Sequence, residues 1–177
     1  NDANCAVLGE QWAGAAKGSQ HVLMFTIGTG VGGGLIVNGR IYHGVSGWAG
    51  ELGHMPAVPE GGLLCGCGQH GCLETVASAT AMVRTARQLV EQGRAPGMLA
   101  MANERGEPVD GRLVITAARA GDETAVGIIR DVGVHLGRAA AGLVSALNPE
   151  LVLVGGGASN ADELLLEPMR QALREHA

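Results

Sequence analysis

Three of the four cysteines fall within eight residues, Cys65-Gly66-Cys67-Gly68-Gln69-His70-Gly71-Cys72, and Leu73-Glu74 follow at once. Thiols so close along a chain have few ways of being used together. A disulfide needs Cα atoms about 4.4–6.8 Å apart with compatible Cβ directions, which a Cys-x-Cys pair meets poorly. A shared metal ion is the better solution, since Zn2+ takes four thiolate or imidazole ligands in a tetrahedron. Three sulfurs leave one position to fill. His54 lies eleven residues before Cys65, in Gly50-Glu51-Leu52-Gly53-His54, and His70 lies inside the loop itself. Either imidazole completes a Cys3His site, although His70 has little chain with which to reach around the ion. The competing reading is a glycine-rich surface loop of reduced thiols without metal. Cys5, away from the cluster, is expected to be a small buried hydrophobe in the first helix.

The remaining composition sets outer bounds. A chain of 177 residues, 46% hydrophobic, makes one domain or one large lobe with a full core. Its only aromatic residues are Trp12, Phe25, Tyr42 and Trp48, so Ala, Val, Leu and Ile must fill that core. The thirty glycines show no triplet period, which excludes collagen, and several border apolar runs. A net charge of −5 without a Lys/Arg run argues against a nucleic-acid surface. Apolar stretches fall short of the ~18 residues of a membrane span, and no signal peptide is evident. Thiols grouped for metal point to a reducing cytoplasm. The start at Asn1, without an initiator Met, and the end within a helical pattern read as an excerpt of a longer protein.

Periodicity and turn residues predict alternating elements. Asp2 or Asn4 caps a helix running to about Lys17, with Gly18 as its stop. His21 to Ile27 is a strand, and Gly33 to Val37 is a second. Asn38-Gly39 then makes a hairpin turn into Arg40-Ile41-Tyr42. Residues 43 to 72 read as loop. A helix covers Leu73 to about Glu91, closed by Gly93 and Pro96, and the polar stretch 104–111 is a surface linker. A long helix from Glu123 to Leu147 aligns Val126, Ile129, Val132, Leu136, Ala140 and Leu143 on one face, and Asn148-Pro149 ends it. Leu151 to Val154 is a short buried strand, Gly155-Gly156-Gly157 a tight loop, and Asp162 opens a last helix. The class is α/β with a mixed sheet.

Two glycine-rich turns therefore follow strands, Gly28-Thr29-Gly30-Val31-Gly32-Gly33-Gly34 and Gly155-Gly156-Gly157. Glycine lets backbone N–H groups approach phosphate oxygens, and Thr29 adds a hydroxyl. Neither turn is a Walker A loop or a dinucleotide fingerprint. A tight structural turn and a phosphate cradle both remain open for each. Asp2 at a helix start and Glu51 and Glu74 flanking the cysteines supply carboxylates of the kind that phosphoryl transfer and polyol recognition need. Taken one at a time, Asp2 is also a plain helix cap and the two glutamates solvated loop charges.

In chain order these motifs form a series: Asn1-Asp2-Ala3-Asn4, the Gly28–Gly34 segment, Gly50-Glu51-Leu52-Gly53-His54, Cys65-x-Cys67-Gly-x-x-Gly71-Cys72-Leu73-Glu74, and Asn148-Pro149-Glu150 before Gly155-Gly156-Gly157. The series resembles the ROK family of sugar kinases and sugar-responsive repressors along essentially the whole chain. The resemblance implies an actin-like, ribonuclease-H-like fold of two lobes, with sugar and nucleotide meeting between them. It implies that residues 1–20 are a hinge and helix following an amino-terminal lobe, and 21–177 the carboxyl-terminal lobe. Asp2 is then the general base for the sugar's 6-hydroxyl, and Asn1, Asp2, Glu51, His54 and Glu74 hold the sugar. His54, Cys65, Cys67 and Cys72 bind a structural Zn2+, with the other nitrogen of His54 toward the sugar. Gly28, Thr29 and Gly30 match a phosphate motif, and Gly155, Gly156 and Gly157 the loop on the adenosine side. ATP with Mg2+ is the implied donor, and a homodimer or homotetramer the implied assembly. The family's Asp-x-Gly-x-Thr segment has no counterpart in these residues.

Three functions follow as expectations. The first is an ATP-dependent hexose kinase making glucose 6-phosphate, or its counterpart acting on N-acetylglucosamine or N-acetylmannosamine. The second is a sugar-responsive repressor, and the third an inactive zinc-stapled scaffold. Asp2 together with an intact Gly-Thr-Gly-x-Gly-Gly-Gly favours the kinase, with activity belonging to the longer protein rather than to this stretch alone.

Overall fold

The computed structural model describes residues 2–177, so the role expected of Asn1 lies outside the described residues. Helix α1 (Asp2–Ala13) leads into strands β1 (Val22–Ile27), β2 (Val31–Val37) and β3 (Arg40–Ile41). After the long loop come α2 (Glu74–Ala77), α3 (Ala79–Glu91), α4 (Pro96–Arg105), α5 (Gly111–Arg119) and α6 (Glu123–Leu147). Strand β4 (Leu151–Gly155) and α7 (Glu163–His176) complete the chain. The sheet order is β3-β2-β1-β4, with β1 antiparallel to β2 and parallel to β4, so the sheet is mixed as expected.

Strand β1 is central, and its alternate residues feed two cores. Val22 and Met24 pack with Val7 of α1 and Ile36, whereas Leu23, Phe25 and Ile27 pack into the larger cluster formed with the helices. Burial on both faces explains why β1 reads as an unbroken apolar run. The Asn38-Gly39 hairpin forms as its residues demand, with φ of 52° and 71° at the two positions. The long helix has the predicted bounds, and Ile129, Val132, Leu136 and Ala140 are buried along it; Val126 and Leu143, nearer its ends, are half-buried. Asn148 caps it in the left-handed conformation.

Several expectations needed correction. Helix α1 stops at Ala13 rather than Lys17, because the Glu10 carboxylate accepts from Ala15 N at 2.8 Å and draws the chain out of the helix. Cys5 is exposed, since the buried side of α1 is formed by Ala3, Asn4 and Val7. Strand β2 begins at Val31 rather than Gly33, so Gly32 joins Gly33 and Gly34 in the sheet. A Cβ at Gly34 would meet Val7 Cγ1 at 2.6 Å, and one at Gly33 would meet Gly50 O at 2.6 Å; these glycines serve packing. The helix expected from Leu73 breaks at buried Ser78, whose extended backbone and Oγ, accepting from Ala81 N, start α3. Pro96 opens α4 at its first turn instead of closing the previous helix. Strand β4 is half-buried along its length, because it is an edge strand with a neighbour on one side only. Among the described residues no helix is long and apolar enough to cross a membrane.

Candidate active site and metal centre

The loop between β3 and α2 has little regular structure: a single 3-10 turn over Leu52–His54 and two isolated bridges, Pro56 to Cys72 and Leu64 to His70. Backbone bonds from Cys65 N to Gln69 O and from Gly68 N to Cys65 O, 2.8 and 2.9 Å, curl the cysteines onto one another. Ligand atoms of His54, Cys65, Cys67 and Cys72 all lie within 4.8 Å of one another. Cys67 Sγ is 3.6 Å from Cys72 Sγ, and His54 Nδ1 is 3.6 Å from Cys65 Sγ. A tetrahedron with Zn–S of about 2.3 Å has edges of about 3.8 Å, so the four residues fit a zinc-like ion. The sulfurs are far beyond the ~2.05 Å of a disulfide. His70 lies outside this group; its Nδ1 lies 3.0 Å from the carbonyl of Gly62. Burial pushes the Cys72 thiol up to about 12, with Cys67 and Cys65 adding to the effect. Cys67 is lowered, chiefly by a backbone hydrogen bond from Gln69. Holding Cys72 as a thiolate would need the positive charge that a divalent cation brings.

A groove of about 420 Å3 lies beside this centre, lined by Asp2, Thr26, Gly28, Thr29, Gly30, Glu74 and Gly156 among others. Helix α1 presents Asp2 at its first turn, exposed, with Oδ1 accepting from Ala3 N at 2.9 Å. The Gly28-Thr29-Gly30 turn is closed by Gly28 N to Gly30 O, 3.0 Å. Its outer carbonyls are held by the α2–α3 junction, through Ala79 N to Gly28 O, 2.8 Å, and Thr80 Oγ1 to Thr29 O, 2.7 Å. Glu74 Oε2 accepts from Val31 N at 3.0 Å, and its Oε1 lies 3.8 Å from Cys65 Sγ. Glu51 and His54 stand outside that lining, together at the 3-10 turn, where Glu51 O accepts from His54 N at 3.1 Å.

The second glycine loop divides its residues. Gly155 ends β4, Gly156 reaches the first groove, and Gly157 lines another groove of about 650 Å3 with Arg119 and Asn160. Between them lies a cleft of about 690 Å3 bordered by Thr29, Thr80, Arg84 and Arg87. Ala79 and Asp110 border both of the latter two, and Thr29 borders both the first groove and the cleft. Sequence reasoning missed Ser78, Thr80, Arg84 and Arg119. Arg119, whose Nη2 donates to Asn160 O at 2.5 Å and Asp162 Oδ2 at 2.7 Å, is forty-one residues from Asn160 in the chain. Only the Ser at the helix break carried a local signal.

The model of the ROK family matches residues 1–177. The chain belongs to the ROK family. A glucokinase of Halalkalibacterium halodurans is 46% identical over 177 residues, which are all of this chain and 53% of that protein. The repressor Mlc of Escherichia coli, described as a DNA-binding transcriptional repressor, is 33% identical over 177 residues, covering 42% of its length. Among solved structures, a ROK family glucokinase from Streptomyces griseus in complex with glucose and AMPPNP is 40% identical, with a TM-score of 0.90 over 99% of this chain and 56% of that one. This ROK chain thus spans about half the length of the curated relatives it matches, and it has the α/β, mixed-sheet architecture of the actin-like ROK sugar kinases.

Proposed function

We propose that the protein containing this chain is an ATP-dependent hexose kinase that converts glucose to glucose 6-phosphate. The observation that carries this reading is the groove bringing the Asp2 carboxylate and the Gly28-Thr29-Gly30 turn to one space. Asp2 takes the proton of the sugar's 6-hydroxyl as that oxygen attacks the terminal phosphorus of ATP. The bond from phosphorus to the bridging oxygen breaks, and ADP leaves with the electron pair. Gly28, Thr29 and Gly30 offer donors to the phosphates, while Gly155, Gly156 and Gly157 lie toward the nucleoside. Mg2+ accompanying ATP would neutralise charge on the phosphates. Asn1, Glu51, His54 and Glu74 hold the remaining hydroxyls. His54, Cys65, Cys67 and Cys72 would hold Zn2+, which would fix the ring of His54 and leave Nε2 for the sugar. Residues 1–20 serve as the hinge and helix and residues 21–177 as the carboxyl-terminal lobe, in a cytoplasmic homo-oligomer without nucleic acid or membrane as partner.

Glucokinase relatives at 46% and 42% identity support glucose as substrate. Similarity to a repressor along the whole chain supports the second reading, a sugar sensor. Coupled-assay turnover by the full-length protein with Mg2+ and ATP, against glucose, mannose, N-acetylglucosamine and N-acetylmannosamine, separates them. Rapid turnover of glucose is the expected result. Binding of a sugar without turnover of any would replace the kinase with the sensor, and turnover of an N-acetylhexosamine alone would change the substrate.

A further inference from the structure

One short segment, residues 72–80, joins the metal centre to the phosphate turn. Its first residue, Cys72, is a ligand, and the carbonyl of Cys72 is held by Thr75 through both N, 2.9 Å, and Oγ1, 2.7 Å. Arg84 Nη2 then pins Thr75 O at 2.5 Å. From this anchored stretch three groups reach the turn: the Glu74 carboxylate to Val31 N, Ala79 N to Gly28 O, and Thr80 Oγ1 to Thr29 O. Glu74 differs from the other two because its second oxygen faces Cys65, another ligand. The turn is also shaped to receive it. A Cβ at Gly30 would run into Glu74 Oε2, so Gly30 is the residue that admits the carboxylate.

We propose that Glu74 is a positioning residue that carries metal occupancy to the phosphate turn, so that metal at His54–Cys65–Cys67–Cys72 and nucleotide at Gly28–Gly30 strengthen each other's binding. The inference rests on the reading of that turn as the nucleotide's phosphate site. Metal holds Cys72 in place; the stretch anchored by its carbonyl fixes Glu74, two residues on; and Glu74 fixes the amide that opens β2. A hydrogen bond to a charged group is on the scale of about a tenfold change in affinity. Linkage requires the effect to be reciprocal, nucleotide tightening metal by the same factor.

The test uses the full-length protein without sugar, so that any contact of Glu74 with sugar hydroxyls does not enter. AMPPNP affinity is measured by calorimetry with zinc bound and after chelation, in wild type, Glu74→Ala, Glu74→Gln and Thr80→Val. Amide exchange at Val31 is followed in the same samples. Zinc is expected to tighten AMPPNP about tenfold in wild type. Glu74→Ala, with zinc retained, should lower affinity by a similar factor and deprotect the Val31 amide. Glu74→Gln, which keeps an acceptor oxygen, should restore much of both. Thr80→Val should weaken AMPPNP while preserving the dependence on zinc. Should the zinc-free protein fail to fold, Glu74→Ala with zinc bound decides alone. Wild-type AMPPNP affinity and Val31 protection unchanged in Glu74→Ala would overturn the proposal. If wild type binds no AMPPNP, the nucleotide reading of the turn fails and the mutual strengthening of metal and nucleotide falls with it. The Val31 amide then decides only whether Glu74 links the centre to the turn.

Discussion

The cysteine loop and the α6–α7 pair are held together by opposite means. The loop between β3 and α2 has one 3-10 turn and two isolated bridges, exposes Leu63 and Leu64, and gathers the side-chain atoms of His54, Cys65, Cys67 and Cys72 within 4.8 Å of one another. The helix pair has no such centre. Its helices approach so closely that a Cβ at Gly133 would meet Leu165 O at 2.6 Å and Pro168 Cγ at 2.9 Å, while a Cβ at Gly137 would meet Ala172 Cβ at 2.8 Å. Around those glycines Ile129, Leu136, Leu165 and Met169 are buried. The lesson is a division of labour. Close packing gives a rigid platform behind the sheet, while the segment that carries polar groups to the groove is built on turns, backbone bonds and a Cys/His cluster that could hold a metal ion.

Each region should fail in its own way. The largest effect is expected of Cys72→Ser, which removes a buried ligand. Zinc content should drop and turnover by the full-length protein should fall beyond the ~10–100-fold typical of outer-shell changes, while far-UV circular dichroism keeps its helical signal. Retention of turnover with zinc lost would dissolve the distinction. Gly137→Val acts on the other side. Overpacking at the crossing should destabilise by about 3 kcal/mol, read from the denaturant midpoint, with zinc affinity unchanged.

The smallest effect concerns His135 in α6. Burial lowers its pKa from 6.5, Arg138 adds to the lowering, and Asp131 opposes it. Above that ordinary value both folded and unfolded chains hold the ring neutral, and stability from this residue is fully present. As pH falls below it the unfolded chain takes up a proton that the folded chain resists, so stability is lost toward the lowered folded value. His135→Gln should therefore show a smaller drop in melting temperature between about pH 7.5 and about pH 5.5 than wild type. An equal drop would remove His135 from the account.

What the sequence made legible follows the same division. The Cys/His cluster was legible because its residues are chemically rare and crowded, and α6 because its apolar period and both caps agree over 25 residues. The strands and hairpin were visible in the run Val22–Ile27 and in Asn38-Gly39. Helices α4 and α5 escaped because Pro96 signals both an end and a beginning, and Gly111 opens a helix whose cap, Asp110, lies in a polar stretch read as linker. The glycine run 28–34 was legible as a turn leading into a strand, but the strand's start at Val31 rather than Gly33 was not, because the partner that packs on it, Val7, is distant in sequence. The bond from Val31 to Glu74 spans forty-three residues and leaves no local trace.

The most direct measurement is Asp2→Asn in the full-length protein, with glucose turnover and glucose binding followed side by side. Loss of the general base should cost about 100- to 10,000-fold in turnover while glucose affinity stays within a few-fold of wild type. Turnover undiminished, or turnover and binding lost in equal measure, would contradict Asp2 as the base and with it the kinase mechanism drawn from this groove.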